Sequence, residues 1–266
     1  MYFMEFIGYF LSILIGITLG LIGAGGSILS IPLLVYFFKI NPEKATTYSL
    51  FIVGAVAFFG AARHFKMGNL KIKPALIFAI PSVFSLLIIR NFVLPIMPNQ
   101  LFYINNLAVS KNFFILIIFA ILMILAAISM IKKTDYRTDN LQEINNSKLV
   151  IIGLLIGNIV GFLGAGGGFL IIPALIHFAK LPLKQAVGTS LLIIFINSTI
   201  GFSSDVLNHV EIDYKLLLII TLFAILGLFF GTELSKKINA DKLKPAFGWL
   251  VLVIGIYIIS KEILLF

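Results

Sequence analysis

The chain contains no cysteine. That excludes disulfides, thiolate metal sites, iron–sulfur centres and a cysteine nucleophile. It is also poor in charge: Asp, Glu, Lys and Arg make up 12% of its 266 residues, where a water-soluble domain carries about 25%. So little charge cannot cover the surface of a soluble fold of this length. An ordinary cytosolic enzyme and a disordered chain are both excluded. Acidic residues are the scarcer sign, eleven against twenty Lys and Arg, which leaves a net charge of +9. The three histidines, His64, His177 and His209, never stand four apart, so a zinc site of the HExxH kind is absent. No metal, cofactor or catalytic residue is expected. What the chain has in excess is apolar: 60% hydrophobic residues and a mean hydropathy of +1.11. The remaining class is an integral membrane protein, whose lipid solvent replaces polar surface. In that setting the positive excess reads as a cytoplasmic rim, and no nucleic-acid motif accompanies it.

Apolar runs and their breakers divide the chain into ten segments. The first five are Tyr2–Ile22, Ser27–Lys39, Lys44–Phe65, Pro74–Pro95 and Asn112–Ile131. A polar stretch, Lys132–Ser147, separates them from Lys148–Leu163, Gly168–Lys180, Leu183–Val206, Tyr214–Leu234 and Lys244–Lys261. The expected fold is an all-α membrane protein with 8–10 membrane helices. Its domains are a first membrane repeat over 1–131, a cytoplasmic linker over 132–147 and a second membrane repeat over 148–266. The second and seventh segments are too short to cross a hydrocarbon core of about 30 Å. Both directly follow a glycine cluster.

Gly20–Pro32 aligns without gaps on Gly161–Pro173, an offset of 141. Of the 35 pairs from Gly16 to Leu50, 15 are identical, including Gly23-Ala-Gly-Gly26 on Gly164-Ala-Gly-Gly167 and Pro32 on Pro173. Hydrophobic drift does not place such a cluster and a proline at one spacing twice, so the halves are duplicated. Their loops carry opposite charge. Arg63, His64, Lys66, Lys71 and Lys73 follow the third segment, whereas Asp205, His209, Glu211, Asp213 and Lys215 occupy the matching stretch. The positive-inside rule then puts the first set in the cytoplasm and the second outside. Five segments per half invert the second copy automatically, so a 5+5 inverted repeat is expected, as in many secondary transporters.

Glycine clusters at membrane depth admit left-handed backbone, and broken backbone there must line a cavity or be buried in protein. The short helix after each cluster starts with free amides and a positive dipole end, which attract anions. Gly23, Gly25, Gly26 and Ser27 in one half and Gly164, Gly166, Gly167 and Gly168 in the other are the candidate substrate cradle; close helix packing is the competing reading. For Gly16/Gly20, Gly157/Gly161 and Gly227/Gly231 packing is preferred. Ser49, Thr189, Ser190 and Asn197 are candidate neutral ligands, with Asn197 open between substrate and a helix–helix hydrogen bond. Asn158 is a similar amide. Arg90 reads as an anion attractor or a rim anchor, and His177 as a packed residue or a proton-coupling group.

Gly161-Phe-Leu-Gly-Ala-Gly-Gly-Gly-Phe-Leu-Ile-Ile-Pro173, followed by Ala186-Val-Gly-Thr-Ser190, resembles the TauE/SafE sulfite exporter family, also called the toluene-sulfonate uptake permeases. The first copy departs from it at Ser27 and at Thr46-Thr-Tyr-Ser49. The resemblance implies a multi-pass carrier of the bacterial inner membrane, not an enzyme. It implies sulfur-containing anions or organosulfonates as substrates, such as sulfite, thiosulfate or sulfoacetate. Alternating access is the expected mechanism. An anion channel and a non-transporting scaffold subunit are the alternatives, and a homo-oligomer is left open.

Overall fold

The computed structural model describes residues 2–23, 26–104, 107–132, 145–235 and 240–265. Eight helices among them are long and apolar enough to cross a membrane, and two shorter apolar helices accompany them. In chain order the first half holds α1 (Tyr2–Ile22), α2 (Gly26–Tyr36), α3 (Pro42–Lys66) and α4 (Ile72–Ile88). A π turn, Ile89–Val93, and α5 (Leu94–Ile96) continue α4, and α6 is Lys111–Ile131. The second half holds α7 (Asn146–Leu163), α8 (Gly168–Phe178), α9 (Leu183–Leu207), α10 (Tyr214–Leu234) and α11 (Ala240–Leu265). The two expected short segments are α2 and α8, 11 residues each, with Pro32 and Pro173 inside them. At 1.5 Å per residue each is only about 16 Å long.

The expected all-helical membrane architecture holds, with one addition: an antiparallel hairpin pairs β1 (Gln100–Ile104) with β2 (Leu107–Ser110) between α5 and α6. The expected single helix over Pro74–Pro95 widens into the π turn. Pro95 has no N–H to offer the carbonyl one turn back, and a wide turn accommodates the lost bond. Most of the polar stretch after α6, 133–144, lies outside the described residues.

The main packing pairs cross between the halves. α1 lies on α10, α4 on α7, α3 on α9 and α6 on α11. The preference for packing at the small-residue pairs holds. A Cβ at Gly16 would sit 1.7 Å from the Ala224 carbonyl oxygen, and one at Gly227 would sit 2.1 Å from that of Ile13. One at Gly157 would sit 2.2 Å from the Ser82 carbonyl oxygen. Backbones approach this closely only where side chains are missing. α3 and α9 form the buried centre, while α4, α10 and α11 carry exposed Phe84, Phe230 and Val253 outward, as lipid-facing surfaces do.

Candidate functional site

α7 stops at Leu163 because Gly164 turns left-handed, at φ +66, with its N–H on the Val160 carbonyl at 2.8 Å. Gly166 and Gly167 follow at φ +65 and +66. Three left-handed positions in four suit glycine and almost nothing else. α8 then starts at Gly168 behind the N-cap Gly167, which has no side chain to receive its first amides. These amides and the helix dipole point a positive, uncharged end at whatever faces the turn.

What faces it is the middle of the bundle. A Cβ on Gly166 would lie 2.9 Å from Val53 Cγ1, 3.2 Å from Ile194 Cγ2 and 3.6 Å from Ser198 Oγ. Val53 and Ile194 stand close to the midpoints of the 25-residue helices α3 and α9, so the turn lies about half-way across. Ser198 is fully buried, and its hydroxyl has no hydrogen-bond partner among the described residues. Neighbouring Asn197 is fully buried too. Its Nδ2 donates to Ser82 Oγ at 2.8 Å, while its Oδ1 has no partner among the described residues. One end of the Asn197 amide thus ties α9 to α4, and the other end meets no polar partner among the described residues. Ser198 was not among the candidates, although its position beside Asn197 in an apolar run was the available signal.

The first turn is described in part. Gly23 has φ +75 and donates to the Leu19 carbonyl, Gly26 opens α2, and Gly25 lies outside the described residues. The two turns dock reciprocally. A Cβ on Gly23 would meet Val187 at 2.2 Å and one on Gly164 would meet the Thr46 carbonyl oxygen at 2.3 Å. Both contacts are the same pair shifted by 141.

The candidate hydroxyls have partners. Ser49 Oγ shares a 2.6 Å hydrogen bond with Ser30 Oγ, which also donates to the Ser27 carbonyl. Ser190 Oγ donates to the Val187 carbonyl at 2.8 Å and reaches the Gly23 carbonyl at 3.5 Å. Thr189 Oγ1 accepts the Lys71 N–H, as Tyr48 Oη in the other half accepts that of Asp213. Thr189 therefore anchors a connection, and Ser49 and Ser190 brace the turns. His177 and Asn158 are exposed, and Asn158 donates to its own helix.

Arg90 is no rim anchor. It is 3% exposed and paired with Asp205, 5% exposed; its guanidinium also donates to Thr46 Oγ1 at 3.2 Å, and Thr47 Oγ1 donates to Asp205 at 2.6 Å. Asp205, read above as a loop charge, is a buried residue of α9, because helical spacing returns it to the face that carries Ser198 and Gly201. Lys111 is also buried, donating to Glu43 at 2.7 Å and to the Leu94 carbonyl at 2.6 Å. In the connection after α9, outside the spans, Glu211 is bonded by the Lys44 ammonium, which holds its carboxyl below the usual carboxylate range.

The sequence model of the family described as "Sulfite exporter TauE/SafE" matches residues 9–258. The chain belongs to the TauE/SafE family. A "Probable membrane transporter protein" of Xylella fastidiosa is 30% identical over 258 residues, covering 94% of this chain and 92% of its own. The Bacillus subtilis "Probable membrane transporter protein YunE" is 29% identical over 247 residues, 86% of each chain. A "Probable membrane transporter protein" of Methanocaldococcus jannaschii is 26% identical and covers 92% of each chain. As a TauE/SafE member the chain is a multi-pass membrane transporter. The family is one of transporters and not of enzymes.

Proposed function

We propose that the protein is a secondary carrier of small anions, sulfur oxyanions or organosulfonates, working by alternating access. The buried turn Gly164–Gly168 carries this reading. It brings a helix N-terminus to mid-depth, beside the Ser198 hydroxyl, which has no partner among the described residues; Asn197 precedes Ser198 on α9 and adds an amide. Amide and hydroxyl donors fit an oxyanion without formal charge, and weak neutral binding suits release on the far side. The Asn197 amide would rotate or use its Nδ2 toward an anion, since Oδ1 only accepts. Gly23–Ser27 is the counterpart cradle in the other half. Residues 1–131 and 148–266 act as inverted repeats about the α3–α9 crossing. The parallel pairings α1 with α10 and α4 with α7, each across the halves, support that symmetry.

Purified protein in liposomes, offered labelled sulfite, thiosulfate and a sulfonate, tests the reading. We expect saturable uptake and counterflow of at least one. No flux of any of the three overturns the carrier reading, and flux without counterflow points to a channel. Unchanged flux in Gly166→Leu overturns the site.

A further inference from the structure

Two ion pairs, one at each end of the bundle, stand within two residues of repeat-equivalent positions. At one end Arg90, in the π turn after α4, pairs with Asp205 of α9. At the other, Glu233 of α10 pairs with Arg63 of α3, which also donates to Thr232. By the offset of 141, α4 corresponds to α10 and α3 to α9. Arg90 falls on Gly231, two residues from Glu233, and Asp205 falls on His64, one residue from Arg63. The repeat-related helix pairs α4–α9 and α10–α3 are thus each bridged, one at each end, with the signs exchanged between the corresponding helices.

Each pair abuts one glycine turn. Arg90 donates to Thr46, whose carbonyl oxygen is the atom on which Gly164 rests. Thr232, bound by Arg63, has its backbone nitrogen 2.8 Å from where a Cβ of Gly20 would stand, three residues before the Gly23 turn. Burial differs. The side chains of Arg90 and Asp205 are 2% and 7% exposed, and those of Arg63 and Glu233 are 24% and 59% exposed. A buried, hydrogen-bonded charge pair is costly to break on one side only, because the survivor is left desolvated and unpaired.

We propose that the two ion pairs are latches that close opposite ends of the transport path in turn, each coupled to the glycine turn beside it. Arg90, Asp205, Arg63 and Glu233 are positioning residues: they set which end is shut and do not hold the substrate. This rests on the alternating-access reading. Counterflow by the parent protein tests that reading separately, and loss of counterflow leaves the latch measurement below interpretable.

The test exploits the absence of native cysteine. Val53→Cys, beside the Gly166 turn, is a single thiol at mid-depth. It is labelled by a membrane-impermeant thiol reagent applied from either side of sealed vesicles. In that background Arg90→Gln, or Asp205→Asn should the first not fold, raises labelling from the Arg90 end by roughly tenfold and leaves the other side unchanged. Arg63→Gln raises labelling from the Arg63 end, by a smaller factor because that pair is already half in water. Arg90→Lys keeps the charge and stays near the parent value. A rise from both sides alike in any of these variants means general loosening and overturns the proposal. So does no change in any of them.

Discussion

Gly68 and Gly164 share a left-handed backbone, φ +72 and +66, and differ in what surrounds them. A Cβ at Gly68 meets nothing within 4 Å, whereas one at Gly164 would strike the Thr46 carbonyl oxygen at 2.3 Å. Gly68→Ala therefore carries only the cost of the dihedral, about 1 kcal/mol, and is expected to keep its flux. Gly164→Ala adds the displacement of a helix backbone, roughly 1–3 kcal/mol more, and is expected to lose most of its flux. Thermal unfolding in detergent and liposome uptake measure the two. Equal losses of stability would mean that the turn is not held against α3. A second residue-scale expectation separates the two ends of Asn197. Ser82→Ala removes its partner on α4 and should cost roughly 0.6 kcal/mol with KM nearly unchanged. Asn197→Ala should raise the KM for the carried anion as well, read from uptake at varied concentration. A KM rise of the same size in both variants would assign Asn197 to packing. Glu211 adds a pH dependence. Its carboxyl titrates below the usual range because Lys44 bonds it, so what it contributes is present above the ordinary carboxylate pKa. That contribution is lost as pH falls through the lowered folded value. The unfolding temperatures of the parent and Glu211→Gln should therefore converge in acid; a gap that persists there contradicts the pairing.

At the scale of elements, apolar length and breakers were enough to locate the helices. α9 begins at Leu183 as expected, and α2 and α8 are the two short helices because glycine turns and internal prolines bound them. The packing role of Gly16 was legible for the same reason: a small-residue spacing in lipid has few other uses. Gly16→Ala should separate α1 from α10, since its Cβ meets backbone, and reduce the yield of monodisperse protein sharply. Gly60→Ala on α3 has as its three nearest neighbours the Leu191 methyls at 3.1 and 3.3 Å and a Leu228 methyl at 3.6 Å, ends that can turn aside, and should be tolerated. Size-exclusion profiles decide between them, and a Gly16→Ala profile equal to the parent's would refute the close-contact account. The hairpin was not legible as strands because they are only five and four residues long, although Pro98-Asn99 before them and Asn105-Asn106 between them are turn-forming pairs. Nor were the Arg90–Asp205 pair and Ser198 as a facing hydroxyl. α9 spreads polar residues around its whole circumference, so its sequence period does not say which face meets α3, and only packing against Gly166 and the π turn selects it.

The whole molecule returns to charge. Contacts gather Arg63, Lys66, Lys71 and Lys184 at one end, where α3 hands over to α4 and α9 begins: Lys71 donates to Thr189, and Gly188 lies against Asn69 and His64. At the opposite end Lys44 pairs with Glu211, Lys111 with Glu43, and Asp213 caps α10. The basic residues of that second end are neutralised by nearby acids, while most of those at the first are not, so the net positive field belongs to one face. Asp205 leaves the loop count once it is seen to be buried against Arg90, yet Glu211 and Asp213 still outnumber Lys215 there and the asymmetry survives. By the positive-inside rule the Lys71 end is expected in the cytoplasm. Single cysteines at Met67 and at Tyr214, both exposed and at opposite ends, report this directly. An impermeant maleimide added to intact cells should label Tyr214→Cys, and should label Met67→Cys only after the cells are opened. Labelling of both from the same side would defeat the inverted arrangement, because α3 and α10 could not then place Arg63 and Glu233 at one end while Tyr48 meets Asp213 at the other.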